Sequence, residues 1–264
     1  MIMKKILMFF VVGLIVLVVV VAVGVGFFIG PIVKTGVETI GPKITQVPIK
    51  LDSVQVSLLS GSAQVKGLIV GNPEGYKTSE AIKFGTASIK VAPLSVFSDK
   101  IVLHEIHVIS PEITYDGGLK GNNLSKILDN VNALAKKDEA APSNTASAAK
   151  DKGAQKPAPK IQVDDFLISG AKVHVHLTGL TTKEMTVSLP DIHLKDMGKD
   201  ADGITATELV RVVLSQVNIS TVKAVTQAVA GSGKIIEGLG KDIAKNPTEK
   251  IKSVTKSIGG LFGK

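Results

Sequence analysis

From Ile6 to Val33 the chain carries no charge, and Ile6 to Ile29 is almost wholly Val, Leu, Ile, Phe and Gly. Those 24 positions make a helix of roughly 36 Å, enough to cross a hydrocarbon core about 30 Å thick with some tilt. A cleavable leader has an apolar region of about 7 to 15 residues and a small-residue cleavage site. This run is longer and no clear A-x-A site follows it, so it reads as an uncleaved signal anchor. Lys4 and Lys5 precede it and hold the N-terminus in the cytoplasm by the positive-inside bias, which exports everything after residue 33. The expected location is a single-pass protein of a cell inner membrane, with its bulk periplasmic.

The exported part has to hold itself together by burial, because the 264-residue chain contains no cysteine and neither disulfides nor thiol chemistry is open to it. The net charge of +8 is unevenly spread. Residues 141–160 carry +3 and residues 204–264 carry +5, whereas 161–203 carry −3. Nucleic acid selects basic surfaces with interleaved aromatics, but the basic tail holds one aromatic, Phe262. Anionic lipid headgroups suit it better, and nucleic acid is excluded as a partner.

Between Ile49 and Asp116 the pattern has period two or is continuously β-branched, as in "IKLDSVQVSL", "SAQVKGLIVG", "KFGTASIKVA" and "KIVLHEIHVI", with turn signals at Ser60-Gly61, Asn72-Pro73-Glu74-Gly75, Pro93 and Asp116-Gly117-Gly118. An antiparallel-rich sheet is expected. Leu124, Ile127, Leu128, Val131 and Leu134 then recur at helical spacing. Residues 138–160, rich in Ala, Ser, Lys and Pro, read as a flexible linker.

Strand character resumes over 161–203, where "IQVDDFLISGAKVHVHLTGL" loosely echoes "IKLDSVQVSLLSGSAQVKGL". Either a weak internal duplication or two ordinary hairpins that share turn residues explains the likeness. Thr205 to Glu208 fits a capping box that opens a helix with Leu209, Val212, Val213 and Val217 on one side. The expected organisation is therefore anchor 1–33, β module with closing helix 34–137, linker 138–160, second segment of the same sheet 161–203 and amphipathic helical tail 204–264. In that tail, Ile251, Val254, Ile258, Leu261 and Phe262 share a stripe with Lys250, Lys252 and Lys256 elsewhere, the composition of an interfacial helix. The same stripe also suits a cap on the sheet.

Catalytic chemistry is sparse. His104, Glu105 and His107, and the pair His174 and His176 with His193, are the best metal candidates, but a zinc site needs a third ligand and a second shell. The "GSGK" at 231–234 fails as a phosphate loop, since Ala228 replaces the first glycine and Ile235 the Ser or Thr. Asp164 and Asp165 are adjacent, and neighbours on a strand point to opposite faces. No nucleophile elbow or ordered triad is present, so the chain reads as a non-enzyme without metal or cofactor. Asn123-Leu124-Ser125 and Asn218-Ile219-Ser220 match a glycosylation sequon that matters only in a eukaryotic secretory pathway.

Residues 34–264 contain six aromatics: Tyr76, Phe84, Phe97, Tyr115, Phe166 and Phe262. Sandwich cores use a few bulky rings, so this aliphatic sheet suits either a curved sheet with an open concave face or a small-core sandwich.

The succession Asn72, Pro73 and Gly75, then Pro93, Leu94 and Ser95, then Ile101, Ile106, Val108, Pro111 and Ile113, then Gly121, Asn123 and Leu124 resembles the N-terminal module of AsmA-like envelope proteins. "IQVDDFLISGAKVHVH" is similar to the strand pair after that family's linker, and the likeness covers roughly residues 1–198. It implies an inner-membrane-anchored periplasmic protein with an elongated apolar β-groove, linked to phospholipid traffic and outer-membrane homeostasis. Membrane phospholipids, and possible envelope proteins, are the implied partners; oligomeric state is left open.

On that basis Val54, Val56, Val65, Ile89, Val91, Val173, Val175 and Leu177 are the groove candidates. Eight or nine strands stack to only about 40 Å, short for a bridge across an envelope. "GLIVGNPEGY" also resembles the water-stress β-sandwich of late-embryogenesis-abundant proteins, which implies a membrane-tethered structural or protein-binding module without lipid cargo.

Overall fold

The computed structural model describes residues 24, 29–57, 59–118, 121–140, 158–177, 185–199 and 202–231. Most of the expected anchor, the linker over 141–157 and the interfacial tail from Lys250 to Phe262 lie outside them. Among the described residues no helix is long and apolar enough to cross a membrane. A compact unit runs to Val222; the described part of a second, from Lys223, is the end of the last helix.

Helix α1 covers 29–45. It is followed by strands β1 (Ile49–Ser57), β2 (Ser62–Gly71) and β3 (Glu80–Val91), a 3-10 turn Pro93–Phe97, β4 (Lys100–Ile109), β5 (Glu112–Gly118), β6 (Gly121–Asn122), helix α2 (Asn123–Ala140), β7 (Lys160–Ser169), β8 (Lys172–Leu177), β9 (Met185–Ser188), β10 (Ile192–Met197) and helix α3 (Ala206–Gly231). All ten strands join one sheet, so the described β structure is a single open layer and not the two stacked sheets of a sandwich.

Nine of the ten strands occupy only six ranks, because three ranks are each made of two collinear strands, and the two-residue β6 pairs with the end of β5. β3 pairs along one edge with β2 and along the other with β4 and then β5. β7 and β8 follow β4 and β5 in parallel, and β10 and β9 run antiparallel beside them. The Ser169-Gly170 step is therefore no hairpin turn. The chain runs on through it, with Ser110 N–H bonded to Ser169 O at 2.8 Å and Lys172 N–H to Pro111 O at 2.9 Å. The duplication reading loses its shared geometry here, since β1 and β2 fold back on each other while β7 and β8 do not. The parallel pairs make the sheet mixed, a consequence of the crossover through α2.

A crease crosses the ranks between these halves. In β3, β4, β5 and β8 buried positions near it keep the two-residue period, yet across it buried residues are three apart: Leu51 and Val54, Val108 and Pro111, Ile168 and Ala171, Leu189 and Ile192. The backbone shows why. Ser110, Gly170 and Gly67 have φ of 49°, 65° and 64°, and the β1–β2 and β2–β3 ladders skip the pairs that would involve Gly67. A left-handed residue inside a strand breaks the two-residue period. Glycine is needed at 67, because a Cβ there would sit on the Asp52 carboxylate and at a φ that side chains avoid.

Helix α1, which the sequence pattern did not predict, runs antiparallel to β1 along its outer edge. Gly30 abuts the Val54 carbonyl, where a Cβ would stand 2.2 Å away, and Gly41 meets Ile49. Glu38 accepts the Leu51 N–H at 2.9 Å while Lys34 donates to the Leu51 carbonyl, and Lys34 and Glu38 pair with each other at 2.8 Å. The exposed backbone of the edge strand is thereby occupied, which keeps it from templating further strands. Lys34 and the Leu51 N–H together hold the Glu38 carboxyl below its ordinary pKa.

Both later helices begin with reciprocal caps. Asn122 Oδ1 accepts from Ser125 N–H at 2.9 Å and Ser125 Oγ from Asn122 N–H at 3.0 Å. In α3 the expected box forms, with Glu208 N–H donating to Thr205 Oγ1 at 3.1 Å and Thr205 N–H to Glu208 at 2.7 Å. The buried residues of α3 within the first unit are Thr207, Leu214, Val217 and Thr221. Of the expected stripe only Val217 is among them; Leu209, Val212 and Val213 are half-buried.

Candidate functional site

On the β1–β4 side of the crease, cross-strand register builds two neighbouring rows with one chemistry. Val54, Val65, Ala87, Val108, Ile168 and Ile192 lie directly opposite one another across all six ranks. Two residues along, so on the same face, lie Val56, Ala63, Ile89, Ile106, Phe166 and Leu194. All twelve are apolar. The interleaved row, Gln55, Gln64, Ser88, His107, Leu167 and His193, points the other way and is polar but for Leu167. This half of the sheet is thus sharply two-faced.

Its apolar face is covered unevenly. In the first row every residue but Val65 is buried, whereas in the second only Ile106 and Phe166 are, and Val56, Ala63, Ile89 and Leu194 remain half-buried. Around Val56, Ala63 and Ile89 lies a cavity of about 410 Å³. Its other seven lining residues, Gln55, Ser57, Ser62, Gln64, Ser88, Lys90 and Glu105, belong by register to rows that point away from the apolar face, so the cavity opens on the opposite face and is not itself an acyl pocket.

The groove candidates separate into two groups. Val54, Val56, Val65, Ile89 and Val91 lie on this side of the crease, with Val54 directly opposite Val65 and Val56 linked to Ile89 through Ala63. Val173, Val175 and Leu177 lie on β8 beyond it. There Val173 sits between Ile113 and Val187, Val175 between Tyr115 and Met185, and Val173 is fully buried. Spacing could not have shown the missing members of the rows, Ala63, Ala87, Ile106, Val108, Phe166, Ile168, Ile192 and Leu194. Only pairing register places them beside Val54 and Val56.

Beyond the crease, α2 packs on β5 and β6 and buries Leu124, Ile127, Val131 and Ala135. A polar network lies at its start. Asn123 is fully buried; its Nδ2 donates to Asn72 Oδ1 and to the Thr114 carbonyl, both at 2.7 Å, and its Oδ1 accepts the Asp116 N–H at 3.0 Å. Asn72 in turn donates to the Thr78 carbonyl at 2.9 Å, and buried Asp116 accepts the N–H groups of Lys77 and Thr78 at 2.7 and 3.1 Å. The Asn-Pro-x-Gly turn and the Asn-Leu helix start, 51 residues apart, are two ends of one hydrogen-bonded knot. Their role is to hold the 72–79 loop. Tyr115, buried beside them, has its phenol pKa pushed up to about 12 by burial.

The histidines do not converge. His104 bonds Asp164 at 2.8 Å, His193 bonds Asp165 at 2.8 Å, His107 bonds Ser169 at 2.7 Å and His174 approaches Thr186 at 3.3 Å. The adjacent carboxylates reach to opposite neighbours, Asp164 to β4 and Asp165 to β10. Hydrogen bonds from Gln162, and then His104, lower the Asp164 pKa. Among the described residues no three His, Cys, Asp or Glu side chains are placed to hold a metal ion. The "GSGK" segment beyond Gly231 lies outside the described residues.

A single open, mixed sheet with one aliphatic face, edged by a helix continuous in sequence with an uncharged N-terminal run, defines a class of surface-bearing protein. The chain belongs to the AsmA family, which it matches over residues 2–235, and that membership associates it with the cell envelope. A search of curated proteins gives no match.

Proposed function

We propose that this chain is a membrane-anchored, periplasmic envelope protein that handles lipid, sheltering acyl chains against the aliphatic face of its sheet. The reading is supported by family membership and by the uncharged run from Ile6 to Val33, and it is carried by one observation: the two apolar rows cross all six ranks with no polar residue in them. A β-sheet face of that kind is a continuous apolar track, each half-buried side chain offering roughly 25 cal/mol per Å² of surface taken from water. The half-buried row Val56, Ala63, Ile89 and Leu194 is where a chain would lie, with its headgroup in water. The mechanism is passive and requires no catalytic residue, metal or cofactor.

The test is to place a photoreactive amino acid at Val56 or Ile89 in the full-length chain, irradiate it in its native membrane and look for lipid adducts by mass spectrometry, with Lys195 on the outer edge strand as the control. Adducts at Val56 and Ile89 but not at Lys195 are expected. Bare protein at both apolar positions would remove the lipid reading and leave a tethered structural role.

A further inference from the structure

The end of the sheet farthest from the 72–79 loop carries a concentration of apolar side chains in water. Leu94 and Phe97 are 86% and 70% exposed, and Leu59 is 62% exposed. Leu59 belongs to the β1–β2 turn and the other two to the turn between β3 and β4. The two turns touch: Val91 N–H donates to the Gly61 carbonyl at 2.8 Å, and a Cβ on Gly61 would stand 3.2 Å from the Pro93 ring.

The second turn is built, not loose. Ser95 Oγ donates to the Ala92 carbonyl at 2.7 Å and accepts the Val102 N–H at 3.0 Å, and Ser98 N–H donates to the Ser95 carbonyl at 3.0 Å. Pro93 opens the 3-10 turn. In such a turn residues three apart eclipse one another, so Leu94 and Phe97 project together as one knob. Fixing two large apolar side chains in solvent costs free energy unless something meets them.

The direction of α1 says what. Going towards its N-terminus, α1 passes Ile49, then Leu51, then Val54, which is the direction in which β1 runs to Ser57 and the Leu59 turn. The sequence that precedes α1 on that side is the uncharged run. Ile32 and Val33, also exposed, lie near that end of α1. Five of the seven exposed large hydrophobic residues among the described ones therefore lie at that end of the sheet or on the stretch of α1 that leads toward it. The neighbouring charges are Lys100 and Lys160, directly paired in register, with Asp99 and, next to Gly203 which abuts Lys160, Asp202; the two lysines are the groups suited to anionic headgroups.

We propose that Leu59, Leu94 and Phe97 form a docking tip that enters the interface of the same bilayer that holds the N-terminal run. The inference rests on the anchored part of the reading above and not on lipid cargo. Docked this way, the half-buried row Val56, Ala63 and Ile89 begins directly behind the tip, at the membrane surface. The apolar knob sits among the acyl chains at the headgroup boundary, while Lys100 and Lys160 stay at the phosphates.

The chain has no cysteine, so single substitutions label cleanly. Full-length Leu94→Cys, Phe97→Cys and, for the opposite end, Glu74→Cys, each carrying a polarity-sensitive fluorophore, are reconstituted into phosphatidylethanolamine–phosphatidylglycerol vesicles containing nitroxide-bearing lipid. Quenching several-fold stronger at 94 and 97 than at 74 is expected, and Leu94→Ser with Phe97→Ser should remove quenching of a label at Leu59→Cys. Equal quenching at 94 and 74, or a chain that does not float with the vesicles, overturns the tip. Quenching at 94 without adducts at Ile89 keeps the tip and removes the cargo; adducts without quenching do the reverse.

Discussion

The two halves of the sheet share six ranks and an aliphatic composition, yet they are finished differently. Beyond the crease, α2 packs on β5 and β6, Ile113, Tyr115, Val173 and Val175 are buried, and a knot of Asn72, Asn123 and Asp116 fixes the arrangement. On the near side, twelve apolar residues form a face with no polar group inside it, and four of the second row, Val56, Ala63, Ile89 and Leu194, are left half-buried. A hydrogen-bonded core specifies one geometry, because any departure strands buried donors and acceptors. An aliphatic face without such a knot tolerates exchange of what covers it. The difference assigns stability to one half and adaptable contact to the other.

The sharpest way to break this contrast is to place the same charge in each half. Val173→Asp, which buries a carboxylate with no partner, should destabilise the full chain by about 4 kcal/mol or more, whereas Ile89→Asp should cost about 1–2 kcal/mol and leave it folded. Urea unfolding followed by circular dichroism in detergent reads both, and equal losses would erase the distinction. Next in size, Asn123→Ala leaves an acceptor on Asn72, the Thr114 carbonyl and the Asp116 N–H without their partner, and should cost about 3 kcal/mol. Gln55→Ala, on the exposed row of the other half, should cost less than about 0.5 kcal/mol by the same measurement.

A pH response should be confined to the α2 half. The phenol of Tyr115 ionises near 12 instead of the ordinary 10.0. Its folded pKa is raised, so the neutral form stabilises the fold fully below about pH 10, and that contribution, on the order of 2 kcal/mol, is lost as pH rises toward 12. Tyrosinate absorbance should therefore develop late for Tyr115, and Tyr115→Phe should flatten the alkaline loss of stability. A variant that titrates unchanged would place the phenol in water.

The strands were legible because their β-branched runs and turn residues are strong local signals, and the capping box at Thr205 was legible for the same reason. Helix α1 was not. Gly36, Gly41 and Pro42 are poor helix formers, and the segment is held by Lys34 and Glu38 on the backbone of Leu51, a contact no window of sequence contains. The Ser169-Gly170 step looked like a hairpin because serine and glycine also make turns; its partner Ser110-Pro111, which converts both into one crease, lies 59 residues earlier. The candidate face was half visible. Val54, Val56, Val65 and Ile89 could be named from alternation, but Val173 and Val175 alternate equally well, and only the folded chain shows that they are enclosed. The Asn72 and Asn123 pairing hides for the same reason, since each residue alone is an ordinary turn or cap.

The Lys34 and Glu38 clamp also fixes how mechanical load enters the molecule. Because α1 lies antiparallel to β1 and grips Leu51 from two successive turns, a pull through the residues before α1 slides helix along strand and strains both grips at once, in shear. Peeling, which would break one contact at a time and part a sheet with little force, is not the direction that a pull from this end presents. A body tied to a moving support in this way can be dragged without its first strand coming undone.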